Sequence, residues 1–305
     1  MRRPLAPRSQ PNLILGMVDG MSWEEIRPFV VSLRRTSYDG DVILFVADLD
    51  SSTVDSITSA GIHVVKARRL QMQFRGRLLY PYHPRLERLH PLYPGVVRSV
   101  SRVSNDPART SAALGALLSV RDISRFFRYH RHLSKHSGAY ANVMLTDVRD
   151  VFFQRDPFDV EFGDQLQCFL EDTRETIGTQ PHNRKWLQAA FGGGILSELG
   201  ERPIVCAGVT IGPQRLVASY LSVMVESLLK LRHQSVGLDQ AVHNYILHRG
   251  LVPQAHLIPN GAGAVATLGI VPREDVHGLL DAPVLHQYDR HPALAEALRR
   301  SLAED

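Results

Sequence analysis

The sequence has little cysteine and no long apolar run. Its 305 residues include only two cysteines, Cys168 and Cys206, too few for a disulfide framework or a zinc cluster, so both are expected to be buried free thiols. No stretch reaches the roughly 18 consecutive apolar residues that a membrane-spanning helix needs. The first residues also lack the apolar segment of a secretory signal. These absences predict a globular, cytoplasmic chain and leave peripheral contact with the inner face of a membrane open.

Repeats, low-complexity tracts and recognised nucleic-acid motifs are also missing. The net charge is only +4, although arginines are dense between residues 68 and 102. Such a basic band could bind nucleic acid or acidic lipid headgroups. Because no motif accompanies the band, the interpretation favoured here is a solvated arginine-rich face, and no nucleic-acid partner is predicted.

The order of apolar segments predicts the architecture. Strands are predicted near residues 12–18, 42–46 and 62–65, with amphipathic helices between them. Ser22 and Glu25 are spaced as a capping box at the start of the first helix. Alternating strands and helices are typical of parallel βαβ units. The expected fold class is therefore α/β, with a Rossmann-type, mostly parallel central sheet flanked by helices.

Residues 67–110 show no clear period, and a segment of that length without regular structure in a compact domain is usually a functional loop. A single helix is predicted from Leu114 to His132, directly before a short apolar run at 143–145. After a further strand near 165–170, the polar run 171–185 is expected to form a loop.

Two carboxylates follow the apolar run at 143–145. Asp147 and Asp150 stand where a buried strand reaches the surface. In an open α/β sheet, ligands bind beyond the carboxyl ends of the strands, so acids placed there can hold a cation that neutralises a phosphate-bearing ligand. The alternative is a loop in which both acids cap backbone amides or pair with Arg149 and Arg155.

Three other positions within or beside apolar runs are candidate site residues. Asp239 opens a predicted helix, Gly208 lies inside a predicted strand at 203–211, and His286 ends a short apolar run. Each has an ordinary structural explanation: a helix-dipole or capping acid, a close backbone approach and a satisfied structural histidine. Residue types alone do not choose between structure and function here.

The segment Leu-Thr-Asp-Val-Arg-Asp-Val-Phe-Phe-Gln-Arg-Asp-Pro-Phe, residues 145–158, resembles the acidic motif of nucleotide-sugar glycosyltransferases with the GT-A fold. That family commonly carries Asp-x-Asp, whereas this chain has Asp-x-x-Asp with Arg149 where a second acid might be expected. Cys-Ala-Gly at 206–208, Asp-Gln at 239–240 and the late histidine follow in the family's order. The resemblance thus spans about residues 12–292.

This resemblance implies a single GT-A-like domain over 1–305. Residues 1–11 are expected to be disordered, 12–160 to form the nucleotide-binding half and 161–305 the sugar and acceptor half. The implied activity is transfer of a sugar, as in hexosyltransferases, from a nucleoside diphosphate donor to an acceptor hydroxyl, with a leaning towards retention of configuration. UDP is favoured over GDP, and Mn²⁺ or Mg²⁺ is the implied cofactor. A carbohydrate, lipid-linked or protein acceptor stays open.

The resemblance also implies roles for individual residues. Asp239 and Gln240 would act at the sugar as catalytic residues. Apart from the resemblance, the segment from Arg68 to Arg109 is expected to form part of the acceptor side, because it lacks a period and Tyr80, Tyr82 and Tyr93 offer flat faces on which sugars stack. The implied metal ligands are Asp147, Asp150 and His286. The implied donor-binding residues are Val18, Asp19, Arg125, Thr146, Asp147 and Gly208.

Two other classes of protein remain open. A binding module for nucleotides or acidic glycans would keep the basic band but need neither Asp239 nor a metal. A metal-dependent phosphohydrolase would use the same acids with an activated water.

Overall fold

The structure is a computed structural model that describes residues 10–68, 72–74, 77–80, 93–161, 163–232 and 234–302. The strands are β1 (Leu13–Asp19), β2 (Asp41–Ala47), β3 (His63–Lys66), β4 (Met72–Phe74), β5 (Arg77–Tyr80), β6 (Asn142–Thr146), β7 (Val151–Phe153), β8 (Leu166–Leu170), β9 (Val205–Pro213), β10 (Ala255–Ile258), β11 (Val265–Thr267) and β12 (Val284–His286). The α-helices are α1 (Trp23–Arg34), α2 (Ser51–Ser59), α3 (Tyr93–Arg102), α4 (Pro107–Leu118), α5 (Arg121–Lys135), α6 (Pro181–Phe191), α7 (Gly193–Leu199), α8 (Gln214–Leu228), α9 (Leu238–His248) and α10 (Pro292–Ser301).

Seven of the described strands form a central sheet in the order β10-β8-β9-β6-β1-β2-β3. β1 pairs in parallel with β2 and β6, and β8 with β10, whereas β9 runs antiparallel to both of its neighbours. β1 is buried along its whole length, as expected for a sheet covered on both faces. The predicted α/β class with a mostly parallel, helix-flanked sheet is confirmed.

Helices cover the two faces of this sheet and divide the core into two layers. Side chains alternate along β1, so that Leu13 and Leu15 join one apolar cluster and Ile14 and Val18 join the other. The first cluster contains residues of α5, α8 and α9, and the second contains residues of α1 and α2. The sheet therefore lies between two helical layers, and its polar residues lie at the ends of the strands.

A smaller sheet, in the order β11-β12-β7, lies after the acidic corner in the chain. β12 pairs antiparallel with β7, and this register sets His286 opposite Val151. The backbone amide of Gln287 donates to the carbonyl oxygen of Asp150 at 2.7 Å. These pairings hold the end of β12 against the corner that contains Asp150.

Two local predictions, the capping box at the start of α1 and the two buried free thiols, agree with the structure. The capping box is present, with the backbone amide of Ser22 donating to Glu25 Oε2 at 2.9 Å. Cys168 and Cys206 are buried free thiols. In the described part of the chain, no helix combines the length and the apolar character needed to span a bilayer. Residues 1–9 of the predicted disordered start lie outside the described residues.

The single helix predicted from Leu114 to His132 is wrong, because the structure has α4 and α5 with a break between them. Ser119 has an extended backbone, and the amide of Val120 donates to Gln234 Oε1 at 2.9 Å instead of to a helical carbonyl. A partner 114 residues away thus ends the helical hydrogen-bond pattern.

The prediction of no regular structure over 67–110 is also wrong where the segment is described. β4, β5 and α3 lie within it, and α4 begins at its end. The side chains of Tyr80 and Tyr93, and the whole of Tyr82, lie outside the described residues. The predicted contribution of these tyrosines to an acceptor site remains a prediction.

Candidate active site

Acidic residues at the ends of three strands meet at one edge of the central sheet. Asp19 ends β1, Asp147 follows β6 and Glu171 follows β8, three strands that run in the same direction. β9 enters from this edge, and the backbone amide of Asp147 donates to the carbonyl oxygen of Gly208 at 2.8 Å. The neighbours β6, β1 and β2 include the point where strand order reverses, which is where α/β sheets form ligand crevices.

A cavity of about 400 Å³ opens at this edge. The predicted site residues that line it are Asp19, Arg125, Asp147, Asp150, Gly208, Asp239 and Gln240. Val18 and Thr146 do not line it: Val18 is fully buried in the apolar core, and the Thr146 hydroxyl donates to the backbone oxygen of Asp147 at 2.8 Å. His286 is fully buried next to the two acids.

The structure brings Asp147, Asp150 and His286 together. One ligand atom from each lies within 4.8 Å of the others. His286 Nε2 is 3.5 Å from Asp147 Oδ2 and 3.8 Å from Asp150 Oδ1. This buried nitrogen has no hydrogen-bond partner among the described residues, while Nδ1 lies 3.6 Å from the sulfur of Cys206. Two carboxylates and an imidazole nitrogen at these distances are a set of ligands that could hold a metal ion.

Gly208 makes room for this cluster. A Cβ atom at this position would lie 2.2 Å from His286 Cε1, 2.5 Å from His286 Nε2 and 2.8 Å from Asp147 Oδ2. The close approach predicted at Gly208 is thus an approach of imidazole and carboxylate to the β9 backbone. Any larger residue would displace the histidine or the acid.

Arg125 connects this corner to α9. Its guanidinium pairs with Asp147 Oδ1 through Nη1 and with Asp239 Oδ2 through Nη2, the latter at 2.9 Å. The arginine side chain is only 12% exposed, so both pairs are largely shielded from water. No side chain caps α9, whose N-cap is Gly237. Asp239 lines the cavity and is a charged partner of Arg125.

Burial and neighbouring charges shift the carboxyl groups in opposite directions. Burial acts to raise the pKa of Asp147, but Arg125 and His286 outweigh it and hold that pKa well below its usual range. Burial raises the pKa of Asp150 and of Asp239, and His286 and Arg125 respectively offset part of each rise. The site therefore keeps one firmly ionised carboxylate beside two whose charge depends on a nearby cation.

Gln240 has a structural task in this wall. Its side-chain oxygen accepts from the backbone amide of Ala207 at 2.7 Å, and its Nε2 donates to the carbonyl oxygen of Val205 at 3.0 Å. These two bonds fix the first turn of α9 to the start of β9. The position of Asp239 relative to the Cys-Ala-Gly segment at 206–208 is consequently fixed by these bonds.

Glu171 and Trp186 are among the cavity-lining residues that were not predicted as site residues. Glu171 is buried, and burial raises its pKa to about 6. The rule that pointed to Asp147, a polar residue directly after a buried strand, applies to Glu171 as well. Trp186 lies on α6, which begins at Pro181, so the predicted loop 171–185 is regular structure from that residue onward.

Solved glycosyltransferases are similar to this chain. The apo structure of the bifunctional glycosyltransferase WbbM is 12% identical, with a TM-score of 0.49, over 92% of this chain and 46% of WbbM. The galactosyltransferase LgtC, in complex with donor and acceptor sugar analogues, is 12% identical, with a TM-score of 0.46, over 90% of this chain and 86% of LgtC. The apo form of GlyE from Streptococcus pneumoniae TIGR4 is 12% identical, with a TM-score of 0.44, over 92% of this chain and 55% of GlyE.

The chain spans about half the length of WbbM and of GlyE. No family model and no curated protein sequence matches it. Glycosyltransferases are the class expected from the acidic motif and the segments that follow it. Similarity at this level says nothing of the reaction, which has to be inferred from the side chains.

Proposed function

We propose that the protein transfers a sugar from a nucleoside diphosphate sugar, UDP rather than GDP, to an acceptor hydroxyl with retention of configuration. The observation that carries this proposal is a single cavity in which Arg125 pairs with both Asp147, one of the candidate metal ligands, and Asp239. A leaving diphosphate needs positive charge, and a sugar that becomes cationic needs negative charge. A cation bound at the Asp147 corner would supply the positive charge, and Asp239 would supply the negative charge.

Asp147, Asp150 and His286 would hold Mn²⁺ or Mg²⁺. Two carboxylates and an imidazole suit these cations, and Nε2 of His286 lies 3.5 Å from Asp147 Oδ2 and 3.8 Å from Asp150 Oδ1. When bound, the cation supplies positive charge that offsets the charge developing on the diphosphate.

Other groups of the chain would complete the donor site. Arg149 and Arg290 line the cavity, and their side chains are 45% and 47% exposed, so both can turn towards a diphosphate. Asp239 would face the sugar and stabilise positive charge at the anomeric carbon. The bond from that carbon to the diphosphate oxygen breaks with its electron pair leaving on the diphosphate, the bond to the acceptor oxygen forms, and the acceptor proton is released.

Both predicted halves contribute to this site. The nucleotide half, 12–160, provides Asp19, Arg125 and the two acids, whereas the half from 161 onward provides Asp239 and His286. Retention is included because Asp-Gln at 239–240 and Cys-Ala-Gly at 206–208 resemble segments of retaining enzymes. A cytoplasmic location remains an expectation from the sequence.

Calorimetry with a panel of nucleotide sugars, with and without Mn²⁺, tests the proposal. We expect one donor to bind at least tenfold more tightly when Mn²⁺ is present, and Asp150→Asn to abolish that gain. Asp159→Asn, at an exposed position, is the matched control. Equal binding without metal would indicate a binding module. Rapid release of free nucleotide with no acceptor present would indicate a phosphohydrolase.

A further inference from the structure

Glu171 is a buried carboxyl group at the cavity wall. It is 6% exposed, lines the cavity, and its backbone amide is fixed to the carbonyl oxygen of Ile204 at 2.9 Å. Its side chain receives a long hydrogen bond of 3.5 Å from Gln240 Nε2 and one from the Cys206 thiol. Among the described residues it forms no ion pair with lysine or arginine. A carboxylate can accept about four hydrogen bonds, so Glu171 has capacity left for a ligand.

Trp186 lines the same side of the cavity. Its indole lies against Gly237, where a Cβ atom would be 2.1 to 2.4 Å from three ring atoms. Gly237 has a φ of +83°, a conformation that favours glycine, and it directly precedes α9. The imidazole of His182 lies 5.6 Å from the indole between ring centroids. The indole therefore packs against Gly237, which precedes Asp239 by two residues in the chain.

The chemistry of this side differs from that of the metal corner. Glu171 contacts Gln240 and Trp186 contacts Gly237, so both belong to the side of the cavity formed by the first turn of α9. Val236, 55% exposed, adds apolar surface there. An aromatic face with apolar surface beside it and a carboxylate in reach can pack a sugar ring and accept hydrogen bonds from its hydroxyls. A ligand carrying phosphate or carboxylate would meet repulsion from Glu171 and Asp239.

We propose that Glu171 and Trp186 form the acceptor subsite, and that the acceptor is a neutral saccharide. The sugar ring packs on the indole of Trp186, and a ring hydroxyl donates a hydrogen bond to the Glu171 carboxylate. This inference rests on the proposed transferase function and adds the class of acceptor to it. It also separates the cavity into a donor side that would hold the cation and an acceptor side that binds the hydroxyls of an uncharged sugar.

Saturation-transfer NMR with methyl pyranosides tests the subsite. The panel consists of the α and β methyl glycosides of glucose, galactose, mannose and N-acetylglucosamine, added to protein loaded with Mn²⁺ and the nucleoside diphosphate that binds most tightly. We expect transfer to the ring protons of at least one glycoside. Trp186→Ala should weaken its binding at least tenfold, and Glu171→Gln about fivefold.

Two variants serve as controls. Trp186→Phe keeps an aromatic face and should retain binding within about threefold, and Glu201→Gln changes an exposed acid and should have no effect. Nucleotide affinity, measured by calorimetry, should stay within twofold of the wild-type value in all four variants. Circular dichroism confirms that each variant is folded.

Three results would overturn the inference. The first is absence of binding for the whole panel by a protein that binds nucleotide normally. The second is equal glycoside binding by Trp186→Ala and wild-type protein. The third is a parallel loss of nucleotide affinity in Trp186→Ala, which would place the indole in the donor site. A protein that binds no nucleoside diphosphate at all would instead refute the proposed function.

Discussion

Gly208 owes its identity to the two side chains that approach it. Because a Cβ atom would lie 2.2 Å from His286, we predict that Gly208→Ala displaces the imidazole and lowers Mn²⁺ affinity between roughly 10-fold and 100-fold, the range seen when a metal ligand loses its orientation. Electron paramagnetic resonance of free Mn²⁺ measures this without any substrate. Gly193→Ala, where a Cβ atom meets nothing within 4 Å, is the control and should bind as wild type.

Substitution of Asp239 should affect the rate of sugar transfer much more than the affinity for the nucleotide. If its charge acts on the anomeric carbon, Asp239→Asn should lower the single-turnover rate at least 100-fold and change nucleotide affinity by less than threefold, because a contact made mainly in the transition state appears in the rate. Its loss also frees Arg125 from one of two partners. A variant that is less stable but turns over at the wild-type rate would contradict the assignment and leave Asp239 a structural partner of Arg125.

Glu171 should make the protein less stable as pH rises. A carboxyl whose pKa is raised from 4.5 to about 6 on folding binds more protons in the folded state between those values, so stability is present below pH 4.5 and is lost as pH rises through 6. The shift corresponds to about 2 kcal/mol. Glu171→Gln should therefore gain stability over wild type at pH 8 and not at pH 4, as measured by urea unfolding at both pH values.

At the scale of elements, the contact between α4 and α5 decides where Arg125 lies. A Cβ atom on Gly115 of α4 would lie 2.3 Å from the ring of Phe127, which is two residues after Arg125 on α5. Gly115→Ala should therefore destabilise the protein by about 2 kcal/mol through overpacking and weaken nucleotide binding by moving Arg125. Gly95→Ala on α3, where the added Cβ meets open space, should leave binding unchanged and favour its helix. Thermal unfolding and calorimetry on both variants distinguish steric clash from a general effect of alanine.

Elements with a local cause were predictable, and those with a distant cause were not. β1 and β2 follow from continuous apolar runs, and the start of α1 follows from Ser22 and Glu25 within one turn. The break between α4 and α5 depends on Gln234, which no local pattern near Val120 can reveal. Residues 67–110 mislead for another reason, since dense Arg, His, Pro and Tyr hide the short period of β4 and β5.

The site likewise has features that were predictable from local sequence and features that were not. Asp147 and Asp150 could be proposed from their position after a buried strand, and Glu171 could have been found by the same rule. The pairing of Arg125 with both Asp147 and Asp239 could not, because these residues lie 22 and 114 positions away from Arg125. Their meeting depends on how α5 and α9 pack against the sheet, and a sequence pattern contains no angle or distance between helices.

At the scale of the whole molecule, buried histidines should make the fold sensitive to acid. His243 lies on α9, fully buried, and its Nδ1 is 2.7 Å from the Tyr220 hydroxyl. Burial, assisted by the charge of Arg125, lowers its pKa from 6.5 to about 3. Its Nε2 has no hydrogen-bond partner among the described residues, so a proton added there would be buried without compensation.

We predict that His243→Gln flattens the dependence of stability on pH. A histidine whose folded pKa lies below its unfolded value leaves the unfolded state holding more protons, so stability falls as pH drops below 6.5. At pH 4.5 the two-unit interval amounts to about 3 kcal/mol. Glutamine keeps a polar group near Tyr220 but cannot titrate, so urea unfolding at pH 7.5 and 4.5 should show a smaller loss in the variant by that amount. His256→Gln, at an exposed position, should follow the wild-type curve, and parallel curves for wild type and His243→Gln would show that another buried group sets the acid limit of the fold.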